Sequence, residues 1–155
     1  MLYTDAEKKR RDQSVWTTVQ AILAPLQFFV FLVSLILVIN FFATGELAYW
    51  ALLSVVIKTF LLFLIMFTGA IWEKEIFGCY LFAQPFFWED VVSLVAVALH
   101  FLYLVVLFLP GFGVTDKLII ALVAYAVYFV NAIQFLLKLR AASAQSSEEL
   151  REISV

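Results

Sequence analysis

Four apolar stretches, at about 15–43, 47–72, 91–109 and 118–139, take up most of the chain. Each reaches the roughly 20 residues needed to cross a hydrocarbon layer about 30 Å thick. Inside such a layer no water is at hand for backbone N–H and C=O groups, so each stretch must satisfy its own as a helix. The sequence therefore predicts an all-α integral membrane protein: a four-transmembrane-helix bundle over residues 1–142, followed by a polar C-terminal tail at 143–155. Composition supports this solvent. Of 155 residues, 65% are hydrophobic and 14% charged, against roughly half and a quarter in a soluble domain. A net charge of −2 presents no polybasic face to nucleic acid. The single cysteine, Cys79, excludes an internal disulfide framework and cannot hold a metal alone.

The joints between spans are marked by turn residues. Thr44, Gly45 and Glu46 turn the chain between the first two spans, and Pro110, Gly111, Phe112 and Gly113 break it between the last two. Pro25 interrupts the hydrogen bonding of the first span and predicts a kink near Ala21. The basic cluster Lys8, Lys9, Arg10 and Arg11 before it resembles a signal peptide, but the apolar run is longer than an h-region and is expected to remain as a span. Thr4 with Glu7 forms a capping-box pattern and predicts a short interfacial helix ahead of it. Lys and Arg set the orientation. Eight of them (the four just named, Lys74, Lys138, Arg140 and Arg151) fall on one side, Lys117 alone on the other, and Lys58 inside the second span. Both termini are expected to be cytoplasmic. Between spans two and three, residues 72–90 mix carboxylates with seven aromatics, too apolar for cytosol and too charged for lipid. An interfacial aromatic loop is expected there, either a plain aromatic belt or the mouth of a pocket.

Polar side chains inside spans are costly and therefore informative. Gln13, Gln20, Gln27 and Ser34 recur every seven residues and share one helix face. Ser54 and Lys58 are four apart. Glu89, Ser93, His100 and Tyr103 form a stripe, as do Tyr128, Asn131, Gln134 and Lys138 within a broader arc. Asn131 comes at about 12 Å depth, His100 about 15 Å, Gln27 about 18 Å and Lys58 about 21 Å, so these four could make one layer. Two readings compete. Gln27, Asn131 and Gln134 serve either as interhelical glue or as ligand contacts. His100 is either a hydrogen-bonded interior histidine or an axial ligand for a tetrapyrrole metal. Lys58, with no acid at its depth, leans toward function. Glu73, Glu75, Glu89 and Asp90 would ordinarily be solvated or paired with Lys74, Lys138 and Arg140.

Three strings carry a resemblance to a known family. IWEKEIFGCYLFAQPFFWEDVVSLVAVALHFLYL (71–104), KRRDQSVWTTVQAILAPLQFFVFLVSL (9–35) and YAVYFVNAIQFLLKLRAA (125–142) resemble the 2-vinyl bacteriochlorophyllide hydratases, also called chlorophyllide 3-vinyl hydratases. The likeness covers nearly the whole chain, and Glu75 departs from the apolar residue expected of relatives, which weakens it as a site candidate. The resemblance implies a cofactor-free membrane lyase of bacteriochlorophyll biosynthesis, multi-pass in the photosynthetic inner membrane of a bacterium. It would add water to the C3 vinyl group of a chlorophyllide-type pigment and leave a 1-hydroxyethyl group. The magnesium would belong to that substrate. Homo-oligomers or docking of pathway enzymes stay open.

Hydration of a conjugated vinyl group begins with protonation at its terminal carbon, and the resulting cation beside the macrocycle is attacked by water. That needs a carboxyl group kept protonated and a second group to accept the proton of the water. Glu89 or Glu73 would be the acid, with the other, or Asp90, as base. Glu89 and Asp90 point about 100° apart, so only one is expected to face inward, and Glu89 is the choice. His100 would ligate the magnesium or act as base. Lys74, Lys138 or Arg140 would hold a propionate, while Lys58, Gln27, Asn131, Gln134 and Trp88 would line the pigment site. A non-catalytic tetrapyrrole carrier or photosynthetic assembly factor would use the same polar interior without turnover. A small transporter is a third class, though no inverted repeat is visible.

Overall fold

The computed structural model describes residues 1–154 and is all-helical. Its elements are α1 (Asp5–Gln13), α2 (Val15–Thr44), α3 (Ala48–Phe77), a 3-10 turn (Gln84–Phe86), α4 (Phe87–Phe108) and α5 (Val114–Ile153). Thr4 caps α1 as its sequence pattern indicates: its hydroxyl accepts from the Glu7 N–H, and the Glu7 carboxylate accepts from the Thr4 N–H. Ser14 ends α1 and begins α2, its hydroxyl accepting from the Trp16 N–H. Helix α2 runs unbroken through Pro25 and ends at Gly45, whose φ of +74° is a left-handed conformation that a side chain disfavours.

The four expected spans all appear, with helix ends that differ from expectation in two places. Helix α3 continues past Trp72 to Phe77, so Glu73, Lys74 and Glu75 ride on its last turn. Helix α4 begins at Phe87, so Glu89 and Asp90 belong to its first turn. The connection between them shrinks to residues 78–86, because Gly78 at φ +86° closes α3 and Pro85 opens the short turn before α4. The second difference is larger. Helix α5 does not stop near Leu139; it is 40 residues long and runs through Ile153. At about 1.5 Å per residue it reaches about 60 Å, twice the hydrocarbon thickness. The stretch after Leu139 holds three Ala, three Glu and two Arg, which favour a helix, and has no Pro or Gly, so nothing ends the helix once it leaves the apolar layer.

The packing divides the chain into two antiparallel hairpins, α2 with α3 and α4 with α5, which meet along a narrower seam. Phe31, Val38, Val55, Leu62, Ala96, Tyr103, Leu118, Tyr125 and Tyr128 form the core between them. Only 22 to 33% of each apolar window is buried inside the protein. Phe29, Ile36, Phe60, Phe67, Phe101 and Val130 instead face outward. Four helices long and apolar enough to cross a membrane, with most of that apolar surface turned out, make this a multi-pass membrane protein.

Beyond the apolar layer, the extension of α5 holds the N-terminus. The Gln145 side-chain oxygen accepts from the N–H groups of Leu2 (3.1 Å) and Tyr3 (3.4 Å), and its amide donates to the Tyr3 carbonyl (3.0 Å). Lys8 pairs with Glu149, a contact that holds the Glu149 carboxyl below its usual range. Because this end is helical and fastened, backbone amides 143–149 should exchange with solvent many-fold more slowly than coil amides in a hydrogen-exchange measurement. Coil-like exchange there would contradict the fold.

Candidate functional site

The chemistry-bearing side chains collect in two places along the seam. The first is the end of the bundle where α3 finishes and α4 begins. Glu73, on the last turn of α3, is buried and accepts from the Ala83 N–H at 3.2 Å. Asp90, on the first turn of α4, is buried and accepts from the Phe82 N–H at 2.7 Å. The two carboxyl groups face each other closely enough to interact directly. Two such groups in a buried site repel each other when both are charged. The connection 78–86 thus supplies one backbone donor to each acid.

Glu89 is buried too, and this corrects the expectation that only one of the adjacent acids faces inward. The first turn of α4 is enclosed on two sides, so the ~100° between neighbours sends Asp90 to α3 and Glu89 to α5. The Glu89 carboxylate is 3.7 Å from Lys138 Nζ, which also donates to the Pro85 carbonyl at 2.6 Å. Asn131 donates to the Glu89 backbone carbonyl (2.9 Å), accepts from the Ser93 hydroxyl (3.0 Å), and reaches the Gln134 amide oxygen (3.4 Å). Aromatic rings wall this end. Phe86 meets Trp72, Phe77 and Phe135 at centroid separations of 5.6, 5.9 and 6.2 Å.

The second place is midway along the seam. Lys58 and His100 are both 0% exposed. His100 Nδ1 lies 2.7 Å from the Ala96 carbonyl and donates to it, which leaves the Nε2 lone pair toward Lys58 Nζ at 3.4 Å. Lys58 Nζ sits 3.3 Å from the Tyr128 ring centroid, with Tyr125 at 5.8 Å. Nζ is met by aromatic faces and an imidazole rather than by a carboxylate. Nε2, the nitrogen that would meet a metal, is therefore occupied by Lys58. Gln27 is buried one turn before Phe31, whose ring meets Tyr125 and Tyr128.

The four residues expected at one depth thus separate: Lys58 meets His100, while Asn131 belongs with Ser93 and Glu89. Gln20, on the same stripe as Gln27, donates to the Thr68 hydroxyl at 2.7 Å and acts as interhelical glue. Lys74 is exposed and donates to the Gly78 carbonyl, and Glu75 accepts from the Ser14 hydroxyl, so neither joins the acids. Trp88 is 68% exposed and points away from both places, since it lies on the outer face of α4. Tyr125 is the residue not anticipated from sequence, and with it the hydroxyl chain Ser54–Ser34–Tyr125; Tyr128 and Tyr103 lie on the expected stripes, but spacing did not give their partners, Lys58 for the first and the Leu52 carbonyl for the second. Tyrosine inside an apolar stretch carries a weak signal, because it reads equally as core.

Known proteins similar to this chain agree with one another. The model of the family described as 2-vinyl bacteriochlorophyllide hydratase matches residues 3–141. A 2-vinyl bacteriochlorophyllide hydratase of Rhodobacter capsulatus is 57% identical over 148 residues, 96% of this chain and 86% of the relative. One of Cereibacter sphaeroides is 57% identical over 141 residues, covering 91% and 88%. No solved structure matches the chain.

The Lys58 environment makes a stability prediction. In detergent, Tyr128→Leu removes the ring facing the buried Lys58 Nζ and should lower the melting temperature by about 4–8 °C. Tyr128→Phe keeps the ring and should melt as the wild type does. Equal melting of all three proteins would show that the cation–ring contact contributes nothing.

Proposed function

The chain belongs to the 2-vinyl bacteriochlorophyllide hydratase family, and we propose that it adds water to the ring-A vinyl group of a chlorophyllide-type pigment at the Glu73–Asp90 pair. The vinyl group is the one named in the family's title and the C3 substituent in the alternative ring numbering; the product carries a 1-hydroxyethyl group. The observation that carries this reading is the buried carboxyl pair at the bundle's end, beside a wall of Trp72, Phe77, Phe86 and Phe135. Flat apolar rings stack on such a wall.

A pair that shares one proton can run the reaction and restore itself. Glu73 sits at the C-terminal end of α3 and Asp90 at the N-terminal end of α4. The helix dipoles therefore favour the proton on Glu73 and the charge on Asp90. Glu73 gives its proton to the terminal vinyl carbon, forming a C–H bond as the π bond breaks. The cation beside the macrocycle is delocalised into it, and water forms the new C–O bond there. Asp90 accepts the proton that the water releases and passes it back to Glu73. No other cofactor enters, and the magnesium travels with the substrate. Glu89, 3.7 Å from Lys138 Nζ, sets a further carboxyl group near the developing cation. His100 lies ten residues from Asp90, about 15 Å along α4, too far to share that water. With Lys58 it braces the interior, and magnesium ligation through Nε2 would require Lys58 to move.

The Lys and Arg distribution supports cytoplasmic termini, and on that reading the carboxyl pair would face the cytoplasm from a bacterial photosynthetic membrane. The pigment would then arrive sideways at the interface, and homo-oligomers or pathway enzymes would meet the same face. The test is incubation of membranes with a 3-vinyl chlorophyllide, followed by mass analysis for gain of one water. Glu73→Gln and Asp90→Asn should each lower turnover by about 10²-fold or more with pigment binding retained. Glu89→Gln should cost about tenfold. Wild-type turnover in both Glu73→Gln and Asp90→Asn would sink the pair as the catalytic group, and stable binding without turnover by the wild-type protein would indicate a carrier.

A further inference from the structure

Tyr3 is the third residue of the chain, yet it is 6% exposed. Chain ends are ordinarily loose unless something ties them down. Its ring lies nearly parallel to Phe77, with centroids 5.9 Å apart and planes 13° apart, and tilts against Phe86 at 6.4 Å. It therefore stacks on the same aromatic wall that borders the carboxyl pair. A cleft of about 350 Å³ opens beside it, lined among others by Leu2, Tyr3, Phe77, Phe82 and Ala83. Phe82 and Ala83 are the residues whose N–H groups hold Asp90 and Glu73. One side chain from the N-terminal segment thus lines the cleft beside the connection that holds both acids.

What holds Tyr3 there is polar and lies at the boundary with water. Gln145 grips the backbone at Leu2 and Tyr3, Lys8 pairs with Glu149, and the Arg11 guanidinium covers the outer face of the Tyr3 ring at 4.7 Å. Contacts of this kind compete with water and break at little cost. Gln145 and Glu149 also stand beyond residues 3–141, the part matched by the family model. A flat pigment would compete with the Tyr3 ring for that stacking surface, and the clasp that favours Tyr3 is made of polar contacts at the water boundary.

We infer that Tyr3 is a displaceable plug: without pigment its ring occupies the aromatic slot before Glu73 and Asp90, and the pigment binds by taking its place as the Gln145 clasp opens. This rests on the hydratase reading above. A closed state that excludes the ligand lowers apparent affinity by the fraction of molecules that are closed. The clasp therefore sets pigment affinity without touching the chemical step.

The test uses the full chain in lipid nanodiscs. Pigment Kd is read from quenching of tryptophan fluorescence, kcat and KM from hydration of a 3-vinyl chlorophyllide, and access from the rate at which maleimide labels Cys79, which lines the same cleft. Gln145→Ala should tighten Kd and lower KM by about threefold or more while kcat is unchanged. It should also speed Cys79 labelling, and bound pigment should slow it. Tyr3→Ala should tighten Kd as well, whereas Tyr3→Phe, which keeps the ring, should match the wild type. Unchanged or weaker binding in both Gln145→Ala and Tyr3→Ala would overturn the plug while leaving the hydratase reading intact. A wild-type protein that neither binds nor hydrates the pigment would overturn both.

Discussion

A polar side chain surrounded by hydrocarbon persists only where another helix brings it a partner, and this requirement organises the whole bundle. Every buried polar residue described above faces the seam between the hairpins or a neighbour across a helix pair. Gln20 finds Thr68, Ser34 finds Ser54 and Tyr125, Lys58 finds His100 and Tyr128, and Asn131 finds Ser93. Among the described residues, no buried side-chain nitrogen or oxygen is left without a hydrogen-bond partner. The outward surface, by contrast, is almost wholly apolar. The scarcity of polar groups and their pairing across helices are two sides of one constraint.

The same constraint separates a structural interior from a reactive end. At mid-depth, Lys58 and His100 are sealed by rings and serve one another. At the boundary, Glu73 and Asp90 are sealed from water only by a short connection and by the N-terminal residues, and their partners are backbone amides and each other. A proton can be held, given and regained in the second arrangement far more readily than in the first. Position along the membrane normal, more than residue type, distinguishes the two.

Much of this was legible in the sequence. The four spans followed from length and hydropathy, the first short helix from Thr4 and Glu7, and the inward stripes from spacing on each helix. The strings around 71–104 carried the family. What spacing cannot show is which residue on a neighbouring helix a stripe will meet. Periodicity placed Lys58 and His100 inward but could not pair Lys58 with the Tyr128 ring. It placed Glu89 inward and missed Asp90, because a single-helix argument assumes one buried face, whereas the first turn of α4 has neighbours on both sides. The extension of α5 was missed for a different reason. A polar run after a span reads as a solvated end, and only the long-range grip of Gln145 on residues 2 and 3 reveals that this helix has an occupation.

The division into two hairpins bears on how the protein is made. By sequence order, α2 and α3 are synthesised before α4 exists, so the first hairpin reaches the membrane with Lys58 lacking its imidazole and Glu73 lacking its carboxyl neighbour. Both groups are burdens to a lone hairpin in lipid. They become assets only when α4 and α5 arrive and dock. The residues that make the seam useful therefore also supply a drive for the second half to join the first, and a nascent chain stalled between the hairpins would expose the two groups a membrane tolerates least.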